Sequence, residues 1–363
     1  MRARDTAIRG RSPRNPPVTS TTPSIWVATR RTAAARAVAL LAGTLATTYG
    51  MACASLPGQA ETRPTFWSFT APWDPRSGES VSQHGGQCAA IISGWFMLDS
   101  TSFQPVQAYP DSVVTRSPRE TTRIMALVTS YQGTRFHPET VRGIASDSAF
   151  LARTAGAIAT SVGGSGYRGL VMDFEGMTAA DLPALHRVVA TVADSARAHG
   201  IHSVGIAIPA TDTAAYPARP LIDATDFVVV MLYDQHWLTS PPGPITSPDW
   251  ARQWLGVRVS EVGAGKIVAA FPTYGYAWRT DSATAVVSYP DAVRMTEAAN
   301  VPLERDVSSG MLHAQHAPWT LWVSDAAHLD ALVHDARIVG VTTFALWRLG
   351  LEDPAIWTRV VPR

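Results

Sequence analysis

Two hydrophobic periods alternate along the chain. From Pro64 onward, short runs of β-branched and aromatic residues are separated by longer stretches whose apolar positions recur at helical spacing. Strands are predicted over Thr65–Thr70, Ala89–Phe96, Arg123–Ser130, Gly169–Asp173, Ser203–Ile208, Phe227–Met231, Lys266–Phe271 and Val341–Trp347. Between them lie helical patterns over Asp147–Ser161, Ala180–His199, Asp249–Leu255 and Asp325–Arg337. The second of these is punctuated by Thr178 as N-cap and Gly200 as C-cap. Eight strands with intervening helices predict an α/β protein, a (β/α)8 TIM barrel, spanning residues 64–360. The rival, a doubly wound sheet, needs a glycine-rich phosphate loop after its first strand, and none is present. The stretch Tyr274–Trp322 is longer than an ordinary βα connection. It holds a helix-like Asp291–Asn300 and predicts a small insertion after strand seven, about 276–322, over the barrel mouth.

Composition adjusts this picture in two places. The 363 residues are 46% hydrophobic and only 16% charged, which excludes a disordered chain and a coiled coil. The net charge of +1 hides an asymmetry: residues 1–54 carry eight Arg and one Asp, so the remainder sums to −6. Basic residues therefore crowd one end instead of a folded surface, and no nucleic acid is expected as a partner. Within 1–54, basic residues precede an apolar stretch from about Ala37 to Ala46 and then small residues, the layout of an export signal. Cleavage after Ala54, a lipid anchor at Cys53 (although Gly50-Met51-Ala52 fits a lipobox poorly) and an uncut membrane anchor are the alternatives. Beyond it no apolar run reaches the roughly 18 residues of a spanning helix, so no membrane span is expected in the mature chain. Location is expected to be periplasmic, extracellular or lipid-anchored at the cell envelope, and the chain is expected to be a monomer. Neither C-x-x-C nor H-E-x-x-H occurs, so no metal site and no cofactor are expected.

Candidate chemistry sits where a barrel would place it, at the C-terminal ends of strands. In Tyr167–Glu175 the strand alternation puts Val171, Asp173 and Glu175 on one face. Neighbouring carboxylates repel, which favours keeping one protonated, and an acid beside a negative group is what glycosidic cleavage needs. The second cluster, Met231–Trp237, offers the phenol of Tyr233, the carboxylate of Asp234 and the stacking face of Trp237. The third, Phe344–Arg348, brings Trp347 to the mouth. Trp73, Trp95, Tyr274, Tyr276 and Trp278 follow strands one, two and seven; each is a candidate for a sugar subsite or for the core. Tyr131 and Gln132 close the third strand and are candidates to face the cleft. His236 is expected to hold a neighbouring group by a hydrogen bond. Ser161-Val-Gly-Gly164, just before the fourth strand, is read as a turn.

Together the three clusters resemble glycoside hydrolase family 18, the chitinase-like family. Asp173-Phe174-Glu175 matches the end of its D-x-x-D-x-D-x-E motif, Met231-Leu232-Tyr233-Asp234 its M-x-Y-D motif, and Trp347 the tryptophan closing its eighth strand. Segments such as Trp73–Ser77, Phe136–Glu139, Gly243–Pro248 and Trp347–Pro354 are similar to the spore-cortex and cell-envelope branch, and to modules found beside polysaccharide deacetylases. The resemblance implies a glycosidase for N-acetylated polysaccharide or oligosaccharide, working by substrate assistance. It implies Glu175 as the acid and then the base, Asp173 orienting the acetamido group, and Tyr233 and Asp234 holding the distorted sugar. Trp347, Met231, Trp237, Tyr131, Trp73 and Tyr274 would bind substrate. The first two Asp of the long motif are replaced by Arg168 and Val171. A non-catalytic, lectin-like barrel and an assembly module for an envelope polymer are the alternatives; the retained Glu175 argues for catalysis.

Overall fold

The computed structural model describes residues 63–107, 109 and 121–361. The export segment and Cys53 lie outside the described residues. The barrel strands are β1 (Thr65–Phe69), β2 (Ala90–Leu98), β3 (Arg123–Thr129), β4 (Gly169–Asp173), β5 (Ser203–Pro209), β6 (Phe227–Met231), β7 (Ile267–Pro272) and β8 (Thr343–Trp347). Each pairs in parallel with its sequence neighbours, and β8–β1 and β1–β2 pairings close the ring. All eight predicted strands are present, with ends moved by at most two residues. A short strand, Pro105–Gln107, lies antiparallel along the end of β2.

Alternation along each strand sorts the core into two layers. Outward residues such as Ile124, Leu170, Ile206, Val230 and Phe344 pack beneath the helices. Inward residues such as Trp67, Met125, Val171, Val229 and Ala345 fill the barrel itself. One break in this alternation bears on the site. The β2–β3 register slips between Ile92 and Gly94, leaving one extra residue on β2. That bulge turns Trp95 inward and Phe96 outward, the reverse of what uninterrupted alternation from Ile92 dictates.

Around the ring run α1 (Pro75–His84), α2 (Pro138–Ala145), α3 (Ser148–Gly164), α4 (Leu182–Ala198), α5 (Ala218–Ile222) and α6 (Pro248–Val262). Asp74 and Asp147 cap α1 and α3 with side-chain oxygens, and proline occupies the first turn of α1, α2, α4 and α6. Thr178 opens a single 3-10 turn that leads into α4, and Gly200 follows that helix at φ 81°, where glycine is favoured. Ser161–Gly164 forms the last turn of α3, so the predicted turn there is corrected: the chain reverses only from Ser165.

Between β7 and α8 (which follows α7, Tyr289–Ala299, and spans Ala326–Ile338) lies the predicted insertion. It is a five-stranded antiparallel sheet, ordered 285–287, 275–279, 319–323, 312–316 and 304–305, with α7 against it. One layer of the insertion has its own small core. Another, with Tyr274, Tyr276, Trp278 and Met311, packs onto Ile245, Leu351, Tyr233 and Trp347 at the barrel mouth.

The lower barrel depends on Gly205. A Cβ there would stand 2.1 Å from the Phe227 ring, which meets Trp67 edge-on at 4.8 Å. Neither ring can retreat from a filled interior. Gly205→Ala is therefore expected to lower the unfolding free energy by about 1–3 kcal/mol, the cost of overpacking, measured by denaturant titration.

Candidate active site

The site is built at the C-terminal ends of β1–β4, β6 and β8. A cavity of about 330 Å³ opens there, lined by Asp173, Glu175, Tyr233 and Asp234 together with Trp73, Trp95, Tyr131, Phe136, Met231 and Trp347. None of the residues lining it is cationic.

Asp173 ends β4 directly opposite Thr129, the last residue of β3. The Thr129 hydroxyl accepts the Tyr131 amide N–H at 3.0 Å, which leaves its own proton to be donated to Asp173 Oδ2 at 3.1 Å. Asp173 Oδ1 is buried with no hydrogen-bond partner among the described residues. Val171, one inward position below, is fully buried and offers no polar group, and Arg168 is exposed at the start of the strand. Glu175 lies beyond the strand and reaches the same cavity.

After β6 the backbone takes φ 60° at Asp234, the left-handed region in which Asp is tolerated. The reversal brings Tyr233 and Asp234 to the mouth together, where strict alternation would separate them. Two tyrosines of the insertion hold Asp234: Tyr274 and Tyr276 donate to its Oδ1 at 3.0 and 3.1 Å. Tyr233 lies nearly parallel to Trp347, 13° between planes and 6.2 Å between centroids.

The walls are aromatic. Trp347 meets Phe69 edge-on, Trp95 donates its indole N–H to the Thr70 carbonyl at 2.9 Å, and Trp73 packs on Trp95 with 46% of its own surface exposed. Opposite them a tight hairpin, Tyr131–Gln132 with Arg135–Phe136, turns at Gly133 (φ 67°) and sets Tyr131 edge-on to Phe136. Phe136 also lines the cavity; nothing local in Phe136–Glu139 marks it as a site residue before the hairpin is formed.

Eight of the ten predicted site residues thus converge on one cavity: Glu175, Asp173, Tyr233, Asp234, Trp347, Met231, Tyr131 and Trp73. Tyr274 lies behind it, 4% exposed, with its hydroxyl spent on Asp234. Trp237 stands outside it at 50% exposure, its carbonyl accepting from the Trp278 indole. Gln132 bonds Asp99 and the Ser100 amide and does not face the cleft. His236 bonds the Pro244 carbonyl, steadying the loop that follows Trp237. Among the described residues, no group of three or more His, Cys, Asp or Glu converges to hold a metal ion.

Burial dominates the electrostatics. It pushes Asp173 up to about 7, against the Thr129 hydrogen bond. Burial, then the charges of Asp173 and Asp234, hold Glu175 well above the ordinary carboxyl range. Asp234 is open to the cleft on one side, yet loss of solvent raises it too, opposed by its two phenol donors. A site of this kind keeps a proton on a carboxyl at neutral pH next to an acceptor, the arrangement required to protonate a leaving oxygen.

No protein-family model matches the chain. It is similar to the cortical fragment-lytic enzyme of Bacillus subtilis, 23% identical over 308 residues that cover 78% of this chain and 71% of that protein. Among solved structures it superposes on the spore cortex-lytic enzyme SleL of Bacillus megaterium with a TM-score of 0.74 and 17% identity, covering 83% of this chain and 74% of that one. A class V chitinase from Pseudomonas fluorescens gives a TM-score of 0.74 and 21% identity, covering 82% and 98%. The barrel is therefore chitinase-like in fold, and its sequence relatives carry names from the group that the strand-end motifs resemble.

The raised carboxyls have a consequence for stability. Unfolded, they ionise near pH 4; folded, Asp173 keeps its proton up to about 7. The folded chain therefore binds more protons between these values, so the contribution of Asp173 is full below about pH 4 and is lost as pH rises to about 7. Asp173→Asn preserves the oxygen that Thr129 bonds. It is expected to exceed wild type in Tm by a few °C at about pH 8 and to lose that advantage below about pH 4, measured by thermal unfolding across pH.

Proposed function

We propose that the protein is a glycoside hydrolase that cleaves β-1,4 linkages at N-acetylglucosamine in chitin-like, peptidoglycan or other envelope polysaccharide. The observation that carries this reading is the placement of Glu175 beside Asp173 in an aromatic-walled cavity with no cationic lining residue, where burial holds the Glu175 carboxyl well above its ordinary range. Names of relatives, cortical fragment-lytic enzyme and chitinase, support it.

In this reading the chemistry is substrate-assisted and retaining. The acetamido oxygen of the sugar attacks its own anomeric carbon while the bond from that carbon to the leaving oxygen breaks. The leaving oxygen takes the Glu175 proton. Asp173 accepts the acetamido N–H through Oδ1, the oxygen with no partner among the described residues, and opposes the positive charge of the oxazolinium. Tyr233 donates to the acetamido oxygen and Asp234 steadies the distorted ring. Glu175, now ionised, removes a proton from water as that water attacks the anomeric carbon, which opens the oxazolinium with net retention. Trp347 forms the apolar floor under the sugar, and Trp73, Met231 and Tyr131 flank it. With Val171 in place of the usual second carboxylate, Thr129 is the side chain that orients Asp173 among the described residues. The chain acts as a monomer at the cell envelope, carried there by the segment within 1–54. It is freed after Ala54 or held by a lipid at Cys53.

Reducing-end release from chitin oligomers, peptidoglycan and poly-N-acetylglucosamine tests the assignment. Glu175→Gln is expected to lose at least about 100-fold in kcat, the scale of a general acid, while still binding the polymer. A thiazoline that mimics the oxazolinium is expected to inhibit the wild type competitively. Absence of release from every polymer by the wild type, with binding equal in both proteins, would refute the hydrolase.

A further inference from the structure

Glu175 has no place in the β ladder. The ladder ends at Asp173, and Glu175 with Gly176 forms an arch between two anchored side chains, Phe174 and Met177, both buried. One phenol closes that arch. Tyr216, 1% exposed, accepts the Met177 amide N–H at 2.9 Å and donates its own proton to the Phe174 carbonyl at 2.9 Å. Both functions of the hydroxyl are used, one on each side of Glu175, so its rotor is fixed.

Tyr216 belongs to the loop between β5 and α5, and that loop is held by a single side chain of α6. Arg258 is completely buried, and its five N–H donors reach five acceptors. Nε bonds the Ala210 carbonyl, Nη2 those of Pro209 and Asp212, and Nη1 the Tyr216 carbonyl and Glu261. Glu261 in turn accepts the Ala218 amide at the start of α5. Guanidinium geometry makes this set possible; an ammonium has three donors and no fork.

We propose that Tyr216 is a positioning residue for Glu175, and that Arg258 acts through it. The inference rests on the hydrolase reading for its catalytic meaning. The arch sets the height of the Glu175 carboxyl above the barrel rim, and therefore its distance to the leaving oxygen. A misplacement near 1 Å at a reacting group costs about 100-fold in rate, whereas substrate binding on the aromatic walls does not pass through Tyr216.

Tyr216→Phe removes the hydroxyl and keeps the ring, so the core packing stays. Two measurements are paired. In the full chain without substrate, 13C-detected titration of the Glu175 carboxyl, assigned with Glu175→Gln, is expected to show its midpoint falling by about one unit or more as the freed arch admits water. With substrate, kcat is expected to drop about 10- to 100-fold, with KM held within about twofold. Arg258→Lys is expected to move both readouts the same way, to a smaller extent. An unmoved Glu175 midpoint in Tyr216→Phe overturns the proposal, whether or not kcat falls, because the loss then arises elsewhere. A moved midpoint with unchanged kcat also overturns it. If the wild type turns over no substrate, the hydrolase reading fails, and the substrate-free titration still decides whether Tyr216 governs Glu175.

Discussion

Three carboxyl groups, Asp173, Glu175 and Asp234, share one mouth, with no cation among the residues that line it. An Arg or Lys in that lining would relieve the repulsion and at the same moment draw the proton off, so the site would lose its acid. The surroundings are arranged to tolerate the crowding. Indole, phenyl and aliphatic walls exclude water and raise the proton affinity of every carboxyl they surround. The groups that do touch the carboxylates are neutral: the Thr129 hydroxyl on Asp173 and two phenols on Asp234. Neutral donors satisfy an oxygen while adding no positive charge, which keeps a proton in the site near neutral pH.

This constraint gives the insertion a part in the chemistry. Its sheet packs on the mouth through Tyr274, Tyr276 and Trp278, and the first two reach back to Asp234. Asp234 itself sits at a left-handed residue, a conformation that Asp holds more readily than most side chains. Barrel and insertion therefore meet at the Asp234 carboxylate. On the other side of the mouth, Asp74 joins Arg348 and Arg76, and Arg76 continues to Asp291 of α7. The barrel is thus tied to the insertion by ion pairs through Arg76 and by phenols at Asp234.

Much of this was legible in the sequence because it follows from local pattern. Eight strand runs, their helices and the three strand-end clusters each depend on residues close in the chain, and alternation alone put Asp173 and Glu175 on one side. What escaped depends on interruptions or on distance. Trp95 faces inward only because β2 carries a bulge, whose one local mark is the isolated Gly94 inside the strand run. Tyr274 has the chemistry of a sugar contact, yet the fold of the insertion turns its hydroxyl onto Asp234. Ser161–Gly164 reads as a turn by composition, but α3 has enough packing along its buried face to carry two glycines to its end. Phe136 needed the hairpin that pairs it with Tyr131. Tyr216 and Arg258 are 42 positions apart and have meaning only once the β5–α5 loop is folded beneath Glu175.

The packed lower barrel sets the traffic through the molecule. Phe227, seated in the space that Gly205 leaves, and Trp67 against it fill the interior together with Val171. In the hydrolase reading a polymer does not thread this barrel: it lies across the rim and dips a single stretch toward Asp173, and both pieces of a severed chain depart by the face through which the intact one arrived.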